Sequence, residues 1–140
     1  MSKKILNILL CLITPIILLA NEKGNKMKIS VESNGKIIVF ELNNSDASKE
    51  LLNQLPLKIK VEDYASMEKI FYPPNKLSTS NTPLANAKKG ILAYYAPWGD
   101  VVMFYKDFGS AGGLYELGFV TSGIDDIKTL SGTIEITKVD

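Results

Sequence analysis

The 140-residue sequence contains no histidine and no arginine, and its single cysteine, Cys11, lies in an apolar run near the start. Without histidine, the one side chain that titrates unaided near neutrality is missing. Without arginine, the planar fork that grips carboxylates and phosphates in two-toothed fashion is missing too. Much acid–base and phosphate chemistry is thereby disfavoured. With Cys11 confined to the first twenty residues, the rest of the chain has no thiol nucleophile and no disulfide framework, so its stability must come from packing. Charge of either sign is also scarce in net terms: sixteen lysines stand against fifteen acids, a formal +1. Beyond residue 20 the balance is fourteen lysines to fifteen acids, or −1, with no basic stripe. Nucleic acid is therefore not an expected partner. The glycines of Gly109-Ser110-Ala111-Gly112-Gly113 are not followed by a GxGxxG or GK[ST] pattern, so they read as backbone freedom at a strand turn rather than a phosphate cradle.

What is present begins with the form of an export signal. Lys3 and Lys4 precede an apolar run from Ile5 to Leu19, and Ala20 precedes the polar NEKGNK. Residues 1–20 are expected to be a signal peptide, residues 21–26 a linker, and 27–140 one domain large enough to bury a core. Leu18 is bulky for its place before the cleavage point, so an uncleaved anchor is the alternative, although the run is short against the ~20 residues of a spanning helix. Leu10 before Cys11 fits a lipoprotein signal poorly. Membrane contact is expected only through this segment, and only if it is retained.

The domain reads as strands. Asn34-Gly35 is a strong hairpin signal, because both residues tolerate the positive φ of a type I′ turn. Pairing Ser33 with Lys36 puts Val31 opposite Ile38 and Ile29 opposite Phe40, and gathers the large residues on one face. Asn43, Asn44 and Ser45 can cap a short helix carrying Leu51, Leu52 and Leu55, which Pro56 ends. LKIKV and SMEKIFY read as extended pieces around Glu62-Asp63-Tyr64-Ala65. Residues 73–89 lack a hydrophobic period and are weighed between a binding lid and plain decoration, with decoration favoured. Residues 90–120 form the organising stretch. A three-residue loop at Ala96-Pro97-Trp98-Gly99-Asp100 would pair Tyr94 with Val102, Leu92 with Phe104 and Tyr95 with Val101, in a hairpin apolar on both faces and so centrally placed. Ser122 can cap a helix from Gly123 to Leu130, and Gly132 releases a last strand with Ile134 and Ile136 on one side. About eight strands and two short helices predict an all-β, closed antiparallel β-barrel with capped ends.

Six short runs of this sequence together resemble the small bacterial cyclophilin-like domain family. They are Asp63-Tyr64, Glu68-Lys69, Tyr72-Pro73, Tyr94-Tyr95-x-Pro97-Trp98-Gly99, Phe104-Tyr105-Lys106-Asp107-Phe108-Gly109 and Gly113-Leu114-x-x-Leu117-Gly118. The likeness spans roughly Met27 to Val139. It implies a cyclophilin-like barrel with a helix at each end, and no established activity. Cyclophilin prolyl isomerases are known for an arginine that stabilises the twisted amide, with histidine nearby, and this chain has neither. Lysine supplies charge without the fork.

The remaining candidates are aromatic and acidic. Asp63 and Glu68, with Lys69 or Lys106 near, could form a working carboxylate pair, but a surface ion pair is the favoured reading. Tyrosines suit a peptide or small-ligand groove, although core packing accounts for at least half of them. Trp98 at a turn tip either folds back or meets a partner. The expected ligand-binding residues are Tyr64, Tyr94 and Phe104 for the groove, Trp98 for its rim, and Glu68 and Lys69 for polar contacts. No catalytic residue, metal ligand or cofactor is expected. The expected function is an exported, non-catalytic module for a peptide or small-molecule ligand. The runner-up is a weak peptidyl-prolyl cis-trans isomerase. N-terminal sequencing of the chain recovered from its producing cell should find a start just after Ala20; an intact Met1 form soluble in the cytoplasm would contradict export.

Overall fold

A computed structural model describes residues 26–140, so the expected signal segment and nearly all of the expected linker lie outside the described residues. Strand β1 (Lys28–Ser33) and strand β2 (Lys36–Leu42) form the first hairpin. Asn34 at φ 52° and Gly35 at φ 78° take the left-handed conformations of the type I′ turn. Its register is the expected one, with Ser33 opposite Lys36, Val31 opposite Ile38 and Ile29 opposite Phe40. All four of those large residues are fully buried.

The chain then turns into helix α1 (Asp46–Asn53), whose N-cap is Ser45: its side chain accepts from the Ser48 backbone N–H at 3.1 Å. So short a helix depends on docking. Ser48 Oγ donates to the Leu117 carbonyl at 2.8 Å, Asn43 Nδ2 donates to the Glu116 carbonyl at 2.7 Å, and Leu51 is fully buried.

The remaining strands are β3 (Leu57–Lys60), β4 (Glu62–Tyr64), β5 (Glu68–Phe71), β6 (Ile91–Tyr95), β7 (Asp100–Phe104), β8 (Leu114–Ser122) and β9 (Thr133–Val139). They make a single antiparallel sheet in the order β3-β9-β1-β2-β8-β6-β7-β5-β4. Its two edges, β3 and β4, are consecutive in the chain and joined by the buried Val61. The sheet therefore curls until its edges meet in one stretch, a nearly closed barrel that leaves little edge exposed. Nine strands appear where about eight are expected, because Glu62–Tyr64, read as a bend, pairs with β5. Ser122 stays in β8 instead of capping the following helix. Gly123, at φ 84°, is the N-cap of a 3₁₀ helix (Ile124–Thr129) with no side-chain capping bond.

The central hairpin is apolar on both faces as expected, but its register differs by one residue. Tyr95 faces Asp100, Tyr94 faces Val101, Ala93 faces Val102 and Leu92 faces Met103. The loop holds four residues, Ala96 to Gly99, because the Tyr95 carbonyl accepts from both Trp98 N–H (3.2 Å) and Gly99 N–H (2.8 Å). Gly99 takes the left-handed position, at φ 75°. Shifting one strand by one residue exchanges its faces relative to its partner. Leu92, Tyr94, Val101 and Met103 thus share the barrel interior, while Ala93, Val102 and Phe104 belong to a second apolar cluster outside it.

Part of the outer cluster is covered by the chain itself. Residues 73–89 are neither a lid nor loose decoration: Leu77, Ala85 and Ala87 are buried, and the backbone is pinned by Ala85 N–H to the Leu114 carbonyl (2.9 Å) and Ala87 N–H to the Gly109 carbonyl (2.7 Å). Where β8 crosses β2 there is no room for a side chain: a Cβ on Gly118 would sit on the Glu41 carbonyl oxygen. Gly118→Ala should destabilise the fold by about 1–3 kcal/mol in urea denaturation. Gly112→Ala, with open space at its Cβ, should leave stability within about 0.5 kcal/mol of the parent; equal effects at the two positions would contradict this packing.

Candidate functional site

The outer face of β5, β6 and β7 is only partly covered, and the gap is a cleft of ≈ 250 Å³. Strand alternation sets its floor. Val102 and Phe104 project outward from β7, and Glu68, opposite Phe104, projects the same way from β5. Tyr64, opposite Glu68 on β4, and Tyr95 on β6 make the walls together with Trp98. Phe108, Ala111 and Leu114, from the segment after β7, close the far side. Trp98 folds back across the mouth. Its ring lies edge-on to Tyr64 (centroids 5.3 Å apart, planes at 84°) and to Tyr95 (5.5 Å, 77°), yet the residue is still 47% exposed. Phe104 and Phe108 stack at 5.5 Å. Such contacts hold the rings in place before any ligand arrives.

Of the residues singled out from the sequence, Tyr64, Glu68, Trp98 and Phe104 come together here. Tyr94 and Lys69 do not. Tyr94 lies inside the barrel, 1% exposed, where its hydroxyl accepts from the Leu77 backbone N–H at 3.1 Å. The one-residue difference in the hairpin register is the reason: Tyr94 and Phe104 occupy opposite faces. Lys69 follows Glu68 in the strand and so points away from it. Its Nζ lies 3.1 Å from Asp63 Oδ1 and 5.9 Å from the centroid of the Tyr105 ring. Asp63 therefore belongs to an ion pair behind the cleft and not to a working pair with Glu68. Val102, Phe108, Ala111 and Leu114 were not foreseen, and Tyr95 was covered only by the general reading of the tyrosines. Tyr95 follows from the observed register, and Val102 shares the face of Phe104 by alternation along β7.

The electrostatics divide along the same faces. Behind the sheet, the Tyr105 hydroxyl donates to Asp63 Oδ1 at 2.6 Å, and with Lys69 holds that carboxyl below its ordinary range. Burial and the Asp63 carboxylate push the Tyr105 phenol up to about 12. On the cleft side the shifts run upward. Burial, with the charges of Asp100 and Asp63, pushes Glu68 up to about 7. Burial pushes Asp100 up to about 6; it is 1% exposed, and its Oδ1 has no hydrogen-bond partner among the described residues. The cleft can therefore offer an aromatic box and one carboxyl that ionises near neutrality. It offers no cation and no oxyanion donor from a lysine, since none lines it.

A model of the Cyclophilin-like family matches residues 31–138. Among solved structures, the solution structure of a hypothetical protein from Archaeoglobus fulgidus is similar with a TM-score of 0.63 at 13% identity, covering 81% of this chain and 95% of that one. At that identity the likeness concerns the fold alone. No curated protein matches the chain.

A carboxyl whose proton is held more tightly in the fold than in the unfolded chain stabilises most below its ordinary value and loses that contribution as pH rises through its folded value. For Glu68 the window runs from 4.5 to about 7, and for Asp100 from 3.8 to about 6. Melting temperature should therefore fall between pH 5 and pH 8. Glu68→Gln should match the parent at pH 4 and exceed it by about 3 °C or more at pH 8; a difference that does not change with pH would contradict the raised carboxyl.

Proposed function

The chain belongs to the cyclophilin-like family, and on that premise we propose that it is a non-catalytic binding module which holds an apolar peptide segment or small ligand in its aromatic cleft. The supporting observation is the set of rings around ≈ 250 Å³, namely Tyr64, Tyr95, Trp98, Phe104 and Phe108, with one carboxyl, Glu68, among them. Concave, mostly apolar sites with few polar groups are the usual form of ligand pockets. The reading includes export, supported by the lysines and apolar run ahead of Ala20. In that case the cleft faces ligands outside the cytoplasm.

The weak-isomerase reading has the apolar cleft in its favour and the residue chemistry against it. Rotation about a prolyl bond faces a barrier of about 18–20 kcal/mol, and lowering it takes donors aimed at the twisted amide. The chain has no arginine, and Lys69, the lysine next to Glu68 in sequence, is committed to Asp63 on the other face of the sheet. What is left is desolvation by the rings and the neutral donors of Tyr64, Tyr95 and Trp98.

Trp98 is the chain's one tryptophan, so its fluorescence reports the cleft directly. An end-capped, uncharged peptide with a Phe-Pro centre should change that fluorescence saturably, and Tyr64→Ala should weaken the binding about tenfold. In a protease-coupled assay the same peptide should isomerise at close to its uncatalysed rate. Acceleration like that of an ordinary cyclophilin, or no fluorescence response to the peptide at any concentration, would overturn the reading.

A further inference from the structure

The cleft is biased in charge as well as shape. Glu68 is the one acidic residue that lines it, and no lysine does. Two lysines stand near but outside the lining: Lys69 on β5, turned to the far face, and Lys76, whose stem lies beside Gly99 in the turn. From β4 come Asp63, already paired with Lys69, and the phenol of Tyr64; from β6 comes the phenol of Tyr95. From β7 comes Asp100, on the same strand face as Val102 and Phe104, buried, with Oδ1 lacking a partner among the described residues. Burying a carboxylate without a partner is costly; Asp100 lies outside the lining, so Glu68 is the carboxyl within a ligand's reach. Above it stand three electron-rich rings: Trp98 is nearly perpendicular to both Tyr64 and Tyr95, with centroids within 5.5 Å. Crossed aromatic planes over a carboxylate are a setting in which an alkylated cation gains from both, since its methyl groups pack on the rings while its charge is attracted to ring faces and acid alike.

Resting on the reading of this cleft as a ligand site, we propose that its occupant is a small molecule bearing an N-methylated ammonium group, held between Trp98, Tyr64 and Tyr95 with its charge on Glu68. The ≈ 250 Å³ of space suits a headgroup of that size. Anionic ligands meet repulsion and find no arginine or lysine to receive them. Neutral ligands fill the box but leave the carboxylates unpaired. Because Glu68 titrates at about 7, the cation competes with a proton, and its binding strengthens as pH rises.

The test compares choline with 3,3-dimethylbutan-1-ol, which has the same shape without the charge, by titrating the Trp98 fluorescence of the protein at pH 8 and pH 5.5. The proposal expects choline to bind about tenfold more tightly than the alcohol at pH 8, a difference of about 1.4 kcal/mol. The preference should shrink at pH 5.5 and vanish in Glu68→Gln. Glu68→Gln keeps the shape and removes a buried charge, so loss of the fold is not the expected cause of a changed preference. Equal binding of the two probes would overturn the cation and leave the cleft as an apolar site. A response to neither would also overturn it, whereas the capped Phe-Pro peptide independently decides whether the cleft binds anything.

Discussion

Strand β7 has no wet face, and most of the molecule follows from that. All five residues of Asp100–Phe104 are buried, and four of them are large and apolar. Fully burying a side chain of that kind is worth roughly 1.5–3 kcal/mol, so leaving either face of the strand in water would forfeit several times that amount. One face is covered by curling the sheet into a barrel around Leu92, Tyr94, Val101 and Met103. The other is covered by whatever chain can be spared: Ala85 and Ala87 from the long 73–89 connection, and Leu114 at the start of β8. That cover is incomplete. The remainder, over Val102 and Phe104, is the cleft.

The same geometry explains the carboxyls. The start of β7, under the aromatic turn, buries Asp100 on the same outer face as Val102 and Phe104, and the strand beside it carries Glu68 to the edge of the gap. Neither pairs with a lysine among the described residues, because alternation along β5 sends Lys69 to the far face, where Asp63, which also accepts from the Tyr105 hydroxyl, receives it. Two acids with raised proton affinity on one side, and a satisfied ion pair on the other, are consequences of where two residues stand in a strand. A fold selected for stability alone has no need of the first arrangement. The proposed ligand site would give it a role.

Much of this was legible in the chain. Asn34-Gly35 announced its turn and its register, and Ser45 with Asp46 announced a helix start, because in both places the local chemistry permits few answers. The doubly apolar hairpin and the YYxPWG and FYKDF runs pointed to a barrel and a family. The register of that hairpin was not legible. A glycine in the left-handed position ends a three-residue loop or a four-residue loop equally well, and with apolar residues on both faces no hydrophobic pattern separates the two. That single residue moved Tyr94 out of the candidate site and left Phe104 in it. Nor could the sequence say that 73–89 would be pinned, since its anchors are backbone hydrogen bonds to Gly109 and Leu114 and small buried alanines with no periodic pattern.

The cleft depends on which face of the β6–β7 hairpin each aromatic residue occupies. Nuclear Overhauser contacts in the folded domain measure this directly. Cross-strand contacts are expected between Tyr95 and Asp100 and between Tyr94 and Val101, with the Phe104 ring close to Phe108 and the Tyr94 ring close to Leu77. Contacts pairing Tyr94 with Val102, and Phe104 with Leu92, would put Tyr94 and Phe104 on one face and remove the cleft on which the proposed function stands.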